Sequence, residues 1–287
     1  MAIPKGFNIC YSDKIFSDVA EILRHGLSEL GYDAVAHFMA VVPEYQNIFL
    51  GVHLIPNFHE IPANSVIFNL EQLGSSSAIV NHPAYFEILR RNFIWDYSQK
   101  NIIYLKNMGI DAELVRIGYA PSLSRIMKPE RQDIDVLFYG AINPRRNKIL
   151  RELQERGLRV FSLVGVYGGE LDNYISRSKV ILNIHFYSTN IFEIVRACYP
   201  LHNRKAIVSE VLNDTEIESD VRSSILCSSY EGLIDACHRL VAVDDERMEI
   251  EQRGFDFFKN RSQADFLKSA VGKLPFSHLM PNRSVPT

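Results

Sequence analysis

The chain has 287 residues, 47% hydrophobic and 23% charged, enough apolar material for one large globular unit or two small domains and too much for a disordered polymer. A formal net charge of -3 provides no broad cationic field, so duplex DNA or RNA is excluded as a ligand held mainly by its phosphates, and any anion site must be local. No apolar run approaches the ~20 residues that span a bilayer, the N-terminal Met-Ala-Ile-Pro-Lys-Gly carries no secretory core, and Cys10, Cys198, Cys227 and Cys237 lack CxxC spacing. A cytoplasmic protein with buried free thiols is expected, without a zinc site or disulfide framework.

In chain order, Phe7 to Tyr11 reads as a short apolar strand. Phe16, Val19, Ala20, Leu23, Leu27 and Leu30 then recur at helical spacing until Gly31 ends the helix. Strands follow over 34–40, 48–54 and 66–70, each bounded by Pro, Asn or Gly. A helix over 85–92, a short strand over 94–96, a helix over 99–108 closed by Gly109 and a strand over 112–117 complete the first block. This is βαβ rhythm, the pattern of a parallel sheet.

The stretch 121–134 holds Pro121, Pro129 and mixed charges, and it separates two blocks of the same grammar. It is expected to be a linker between an N-terminal domain over 1–120 and a C-terminal domain over 135–274. The second block reads strand 136–139, helix 145–156, strand 160–164, helix 170–177, strand 180–184, helix 191–203 and strand 206–209. Helical periodicity returns over 230–241 and 246–258. Pro275, Pro281 and Pro286 mark 275–287 as an extended tail.

Polar side chains gather where the second block's strands end. Ligands bind outside the carboxyl ends of parallel strands, so His185, Tyr187, Asn190 and Glu193 are expected on one rim. The junction Tyr139-Gly140-Ala141-Ile142-Asn143-Pro144-Arg145-Arg146-Asn147-Lys148 joins a strand to a helix. Gly140 permits close backbone approach, the helix start offers free N–H groups, and Arg145, Arg146 and Lys148 could add charge-assisted contacts to a phosphate. An ordinary βα turn with a solvated basic face fits the same residues. The loop Val164-Gly165-Val166-Tyr167-Gly168-Gly169 would let a base or ribose lie on the main chain with Tyr167 available for stacking, although it is not GxGxxG and also suits a plain turn. Glu193 could accept from ribose hydroxyls or simply complement a helix start, and His185 could orient a diphosphate, donate a proton, or be structural.

Taken together, the words 177–187 (Arg-Ser-Lys-Val-Ile-Leu-Asn-Ile-His-Phe-Tyr), Phe192-Glu193 and 203–210 (Asn-Arg-Lys-Ala-Ile-Val-Ser-Glu) resemble the donor-binding half of GT-B glycosyltransferases of the bacterial "glycosyltransferase family 1-like" group. Asn69-Leu70-Glu71-Gln72-Leu73 and Trp95-Asp96-Tyr97-Ser98 are similar to the same group. The resemblance runs from about Ser65 to Glu210 and is strongest after Asp135. It implies an α/β protein of two Rossmann-like domains facing a cleft, a compact N-terminal acceptor domain and a C-terminal domain for a nucleotide-diphosphate sugar. It also implies no cofactor and no bound metal. By position Glu193 looks like the acid that holds the donor ribose and the Gly140–Arg146 loop like the diphosphate contact. Many retaining members carry two glutamates separated by seven residues; here only Glu193 is evident, and Asn203-Arg204-Lys205 replaces a Gly-containing turn, which leaves the stereochemistry open.

The implied reaction is metal-independent transfer of a hexosyl or related group to a glycan or other acceptor, as in bacterial surface polysaccharide or glycoconjugate synthesis. Arg145, Arg146 and Lys148 would stabilise the departing diphosphate. Candidates for an acceptor base are Glu71 and Asp13 first, then Asp96 and His53, with His185 as a further catalytic candidate. A non-catalytic nucleotide-sugar or glycan binder, or a nucleotide-sugar epimerase, would share the architecture. Arg90 and Arg91 beside Phe86, Leu89, Phe93 and Trp95 could form a basic-aromatic surface for peripheral contact with the inner membrane and a lipid-linked acceptor, or be core.

Overall fold

Short runs of consecutive apolar residues become strands buried on both faces, which is what a parallel sheet covered by helices requires. In the computed structural model, which describes residues 3–55, 61–74, 78–127, 129–187 and 190–276, this happens twice. The chain divides into one unit of Met1–Ala120 with Ser262–Thr287 and a second of Pro121–Arg261.

In the first unit β1 (Phe7–Tyr11), β2 (Ala34–Phe38), β3 (Gln46–Leu50), β4 (Val66–Asn69), β5 (Phe93–Asp96) and β6 (Glu113–Leu114) form a parallel sheet in the order β2-β1-β3-β4-β5-β6. β1 aligns Phe7 with Ala34 on one side and with Gln46 on the other. Its helices are α1 (Ser17–Glu29), α2 (Pro83–Arg90) and α3 (Gln99–Asn107). Ser98 caps α3 by accepting from the Asn101 N–H. β3 ends sooner than the apolar run over 48–54 suggests, because Gly51 turns the chain at φ 73°.

The helix α10 (Gln263–Gly272) was not anticipated, and it belongs to the first unit although the sequence places 262–274 with the second. Its apolar face needs a partner, and α1 supplies one. A Cβ on Gly26 would lie 2.6 Å from Gln263 Cγ and 2.9 Å from Leu267 Cδ1, so the two helices meet at a glycine. Gln263 Oε1 also accepts from the Gly118 N–H at 2.7 Å. Of the tail over 275–287, residues 277–287 lie outside the described residues.

In the second unit β7 (Ile134–Tyr139), β8 (Val160–Leu163), β9 (Ser178–Asn183), β10 (Ala206–Glu210) and β11 (Leu226–Ser228) pair in parallel as β11-β10-β9-β7-β8. The helices are α4 (Pro144–Glu155), α5 (Gly168–Arg177), α6 (Ile194–His202), α7 (Ser219–Ser223), α8 (Leu233–Ala242) and α9 (Asp244–Phe258). Val136, Phe138, Leu150, Leu153, Val180, Leu182, Val208 and Leu233 join in its core. α6 starts at Ile194 rather than 191, since Ile191 bridges Glu216 and Glu193 sits at a non-helical φ -78°, ψ 63°.

Packing decides two further readings. The stretch 121–134 is not a free linker: Leu123 is buried, the N–H groups of Arg125 and Ile126 donate to Asn203 Oδ1 at 3.0 and 2.9 Å, and Asp133 pairs with Arg177. It is folded onto the second unit. Of the two readings of the residues around Arg90 and Arg91, core packing fits Phe86, Leu89 and Trp95, which are buried, while Phe93 is half-buried and both arginines are exposed. No described helix is long and apolar enough to cross a membrane. No disulfide joins Cys10, Cys198, Cys227 and Cys237, and all but Cys227 are buried.

The glycine between α1 and α10 sets a stability test. Gly26→Val adds side-chain volume where Gln263 and Leu267 already sit, and overpacking of this kind costs about 1–3 kcal/mol. Urea denaturation should show that loss; a variant as stable as the parent chain would mean that α10 is not held against α1.

Candidate functional site

The second sheet has the order in which the first strand lies between the second and the third, so the chain leaves β7 and β9 in opposite directions. That divergence opens a crevice at their carboxyl ends. Tyr139 and Gly140 leave β7 there, and Asn183 closes β9.

Asn143 is the cap of α4: its Oδ1 accepts from the Arg146 N–H at 2.8 Å, and its Nδ2 donates to Phe186 O at 3.3 Å. The loop after β7 is thereby tied to the loop after β9. Arg146 tightens the tie. Its guanidinium is fully buried, with Nε and Nη2 donating to Ile184 O at 2.9 and 2.5 Å and Nη1 donating to Ala141 O at 2.7 Å. Burial pulls this guanidinium down to about 9, helped by Arg196 and opposed by Glu193, so it remains cationic at neutral pH. A cation this enclosed holds the loops together; it is not presented as the expected diphosphate contact.

Arg145 is engaged as well. It donates to both carboxylate oxygens of the buried Glu210, and its guanidinium stacks 3.9 Å from the Tyr230 ring centroid. Tyr230 in turn donates from its hydroxyl to Arg145 O at 2.9 Å. The same Glu210 accepts from the His185 N–H at 3.1 Å. Lys148, one turn further along α4, is exposed.

Glu193 lies immediately before α6 but does not cap it. Its Oε1 accepts from the Phe186 N–H at 3.3 Å and its Oε2 from Asn183 Nδ2 at 3.1 Å, while His185 Nδ1 stands 3.1 Å from Oε2 without an aligned hydrogen bond. Burial pushes this carboxyl up, yet His185, Arg196 and Asn183 together outweigh burial and hold it below its ordinary value of 4.5. His185 is 3% exposed, and neither ring nitrogen has a hydrogen-bond partner among the described residues. Tyr187 sets its ring edge-on to Phe186 at 4.8 Å. Asn190 is drawn off the rim, donating to Asp214 at 2.7 Å.

The loop Gly165, Val166, Tyr167, Gly168 follows β8 on the outer side of β7. A Cβ at Gly165 or Gly168 would meet nothing within 4 Å, so these glycines are set by φ values of 71° and 61° rather than by room. Tyr167 is the extended residue before α5.

Arg196 on α6 is a residue that sequence reasoning missed. Nη1 donates to Asn183 Oδ1 at 2.9 Å, and Nη2 and Nε lie 3.1 and 3.2 Å from where a Cβ of Gly140 would stand. Nothing in the helical pattern separates this arginine from a solvated one. The available signal is Pro200, four residues later, which cannot donate to the Arg196 carbonyl.

The remaining candidates lie in the first unit. Asp13 Oδ1 accepts from the Ile15 N–H at 2.9 Å and caps a short 3-10 turn. Glu71 stands 3.5 Å from His53 Nε2, with both side chains partly exposed. Asp96 is fully buried, accepting from Asn69 at 2.6 Å, the Ser98 N–H at 2.8 Å and Asn101 at 3.0 Å, and so holds the loop that carries Glu71. Among the described residues no group of three or more His, Cys, Asp and Glu side chains is gathered as a metal site would need.

The depressed Glu193 carboxyl makes a pH prediction. A folded-state value below the unfolded one contributes stability above pH 4.5 that is lost as pH falls through the folded value. Glu193→Gln cannot ionise, so between about pH 7 and pH 3 it should lose less stability to acid than the parent chain. Parallel urea titrations that fall equally would show that the ionised carboxylate is not stabilised by its neighbours.

No protein-family model matches the chain. An uncharacterized protein of Acanthamoeba polyphaga mimivirus is 28% identical over 185 residues, 60% of this chain and 57% of that protein. A second mimivirus protein is 33% identical over 90 residues, 29% of this chain and 10% of the other. The chain thus spans little more than half of the first relative and a tenth of the second. Among solved structures it is similar to Anabaena HepE in complex with UDP and glucose (TM-score 0.63, 8% identity, 94% of this chain and 100% of that one). It is also similar to T4 phage BGT in complex with its UDP-glucose substrate (0.57, 14%, 94% and 99%). A third is WaaG, a glycosyltransferase involved in lipopolysaccharide biosynthesis (0.58, 9%, 94% and 99%). Likeness over nearly the whole chain at such identities is likeness of fold: this protein, with its two Rossmann-like parallel sheets, has the GT-B fold of these glycosyltransferases.

Proposed function

We propose that the chain is a glycosyltransferase that binds a nucleotide-diphosphate sugar at the carboxyl edge of the second sheet and passes the sugar to a hydroxyl of a glycan or other acceptor. The observation that carries this reading is the crowding of three guanidinium groups, from Arg145, Arg146 and Arg196, against two carboxylates, Glu193 and Glu210, at the β7–β9 divergence. The local excess of positive charge suits an anion in a chain whose net charge is negative. The similar sequences are viral, so the proposal names no bacterial polysaccharide.

In the reaction, the bond between sugar C1 and the diphosphate oxygen breaks with its electron pair leaving on the diphosphate. The acceptor oxygen bonds to C1 and gives its proton to a base. Cations at this edge stabilise the charge gathering on the leaving group, so the proposed chemistry is metal-independent. Glu193, enclosed by Asn183 and the Phe186 N–H, is the proposed ribose acceptor and fixes the loop that carries His185. The proposed base is the His53 and Glu71 pair of the first unit. Burial lowers His53, Glu71 opposes that and His82 adds to it, so the net shift is below 6.5 and the imidazole is neutral and able to accept a proton at pH 7.

Thermal-shift assays with UDP-glucose and other nucleotide sugars test binding; a ligand at 100 times its Kd stabilises the native state by about 2.7 kcal/mol. Transfer of label from the donor that binds should survive chelation and be lost in Glu193→Ala. His53→Ala should cut kcat by about 100-fold or more while donor affinity holds, and the parent chain's rate should fall on the acid side below pH 6.5. A panel in which no nucleotide or nucleotide sugar binds would sink the reading.

A further inference from the structure

We propose that Arg196 is the residue that grips the diphosphate, and that position 140 is a glycine in order to seat the Arg196 guanidinium rather than to admit the ligand. The inference rests on the nucleotide-diphosphate reading of this edge and deepens it by assigning the cation.

Of the three guanidinium groups at the β7–β9 divergence, two are committed within the fold. Arg146 is fully buried, with Nε, Nη1 and Nη2 all given to backbone carbonyls. Arg145 has both Nη atoms on the buried carboxylate of Glu210 and lies flat on Tyr230. An ion pair with a buried carboxylate leaves little charge to offer an incoming anion. Arg196 is different. Its hydrogen bond goes to the neutral amide oxygen of Asn183, reached by Nη1 at 2.9 Å, rather than to a carboxylate, although its charge also acts on Glu193. The side chain is only half buried, and its Nε and Nη2 edge lies along Gly140, at the end of β7 where α4 begins.

Three further features hold that placement. Pro200 has no N–H, so the carbonyl of Arg196 loses its helical partner; the Tyr139 hydroxyl donates to it at 2.7 Å and pins this turn of α6 to the end of β7. Gly140 adopts φ 127°, a region costly for other residues, and a Cβ there would lie 3.1–3.3 Å from Nη2, Nε and Cζ of Arg196. The Asn183 amide is itself fixed, donating to both Ser209 Oγ and Glu193 Oε2. A planar guanidinium held this way presents an edge suited to a bidentate grip on phosphate oxygens, which an ammonium cannot reproduce.

The test is calorimetric titration of UDP, GDP, uridine, guanosine and inorganic pyrophosphate into the parent chain, Arg196→Ala, Arg196→Lys, Arg196→Gln and Gly140→Ala. Arg196→Ala should weaken the nucleoside diphosphate and pyrophosphate by about 10- to 100-fold, the loss of a charged hydrogen-bonding group, and leave the nucleoside unchanged, which also certifies the fold. Lysine should restore part of the loss and glutamine none. Gly140→Ala should weaken the diphosphate with Arg196 still present. Equal diphosphate binding by the parent chain and Arg196→Ala would overturn the assignment alone, whereas a parent chain that binds neither UDP nor GDP would overturn the nucleotide reading and this inference with it.

Discussion

A guanidinium removed from water must be answered on every nitrogen, and at the carboxyl edge of the second sheet the answer given to Arg146 organises the rest. Its Nε, Nη1 and Nη2 take the carbonyls of Ile184 and Ala141, residues that belong to the loops following β9 and β7. Phe138 and Phe186 close over its faces at 5.2 and 5.0 Å, and the Glu193 carboxylate stands 3.7 Å away. Two loops that would otherwise diverge from neighbouring strands are held at a fixed separation. The Phe186 N–H can then meet Glu193, and Asn143 can cap α4 while donating to Phe186 O.

Once Arg146 is fixed, the charge around it sorts itself by burial. Glu193 and Glu210 are both nearly enclosed, and each is met by hydrogen-bond donors or a cation. Glu210 receives Arg145 and the His185 N–H; Glu193 receives Asn183 and the Phe186 N–H, with His185 Nδ1 3.1 Å from its Oε2. Arg196 is hydrogen-bonded to an amide instead of an acid, and it acts on Glu193 through its charge alone. The cationic character of the edge thus comes from a surplus left after internal pairing, and the number of basic residues in the sequence overstates it.

This sorting explains which parts of the protein are legible in the sequence. Apolar runs such as Val136 to Tyr139 and Ala206 to Ser209 are strands because consecutive burial admits little else, and the parallel grammar follows from the helices between them. β11 escaped notice because its three residues are only partly buried, and α10 because its partner α1 lies far away in sequence. The rim itself was readable, since strand ends are fixed by the apolar runs; Gly140, Asn143, His185 and Glu193 do gather there. What each side chain does was not readable. Arg145-Arg146 at a helix start looks free until the carbonyls of Ile184 and the carboxylate of Glu210 are placed by tertiary structure, and Arg196 looks solvated until β7 puts Gly140 beside it.

The first unit treats its carboxyl edge in the opposite sense. The fully buried Asp96 is met by amides and a backbone N–H from Asn69, Asn101 and Ser98, without a basic side chain among those hydrogen bonds. Asn69 and Asn101 pass that order on by donating to Glu71 O, and the Asn69 amide oxygen accepts from the Tyr85 hydroxyl and the Glu71 N–H. Glu71 is fixed by its backbone while its carboxylate stays partly exposed toward His53. Amide-rich support of this kind positions Glu71 through its main chain, just as Asn183 positions Arg196 through its side chain. Each edge therefore uses neutral amides to fix its geometry, at the Glu71 backbone in one unit and at the Arg196 guanidinium in the other.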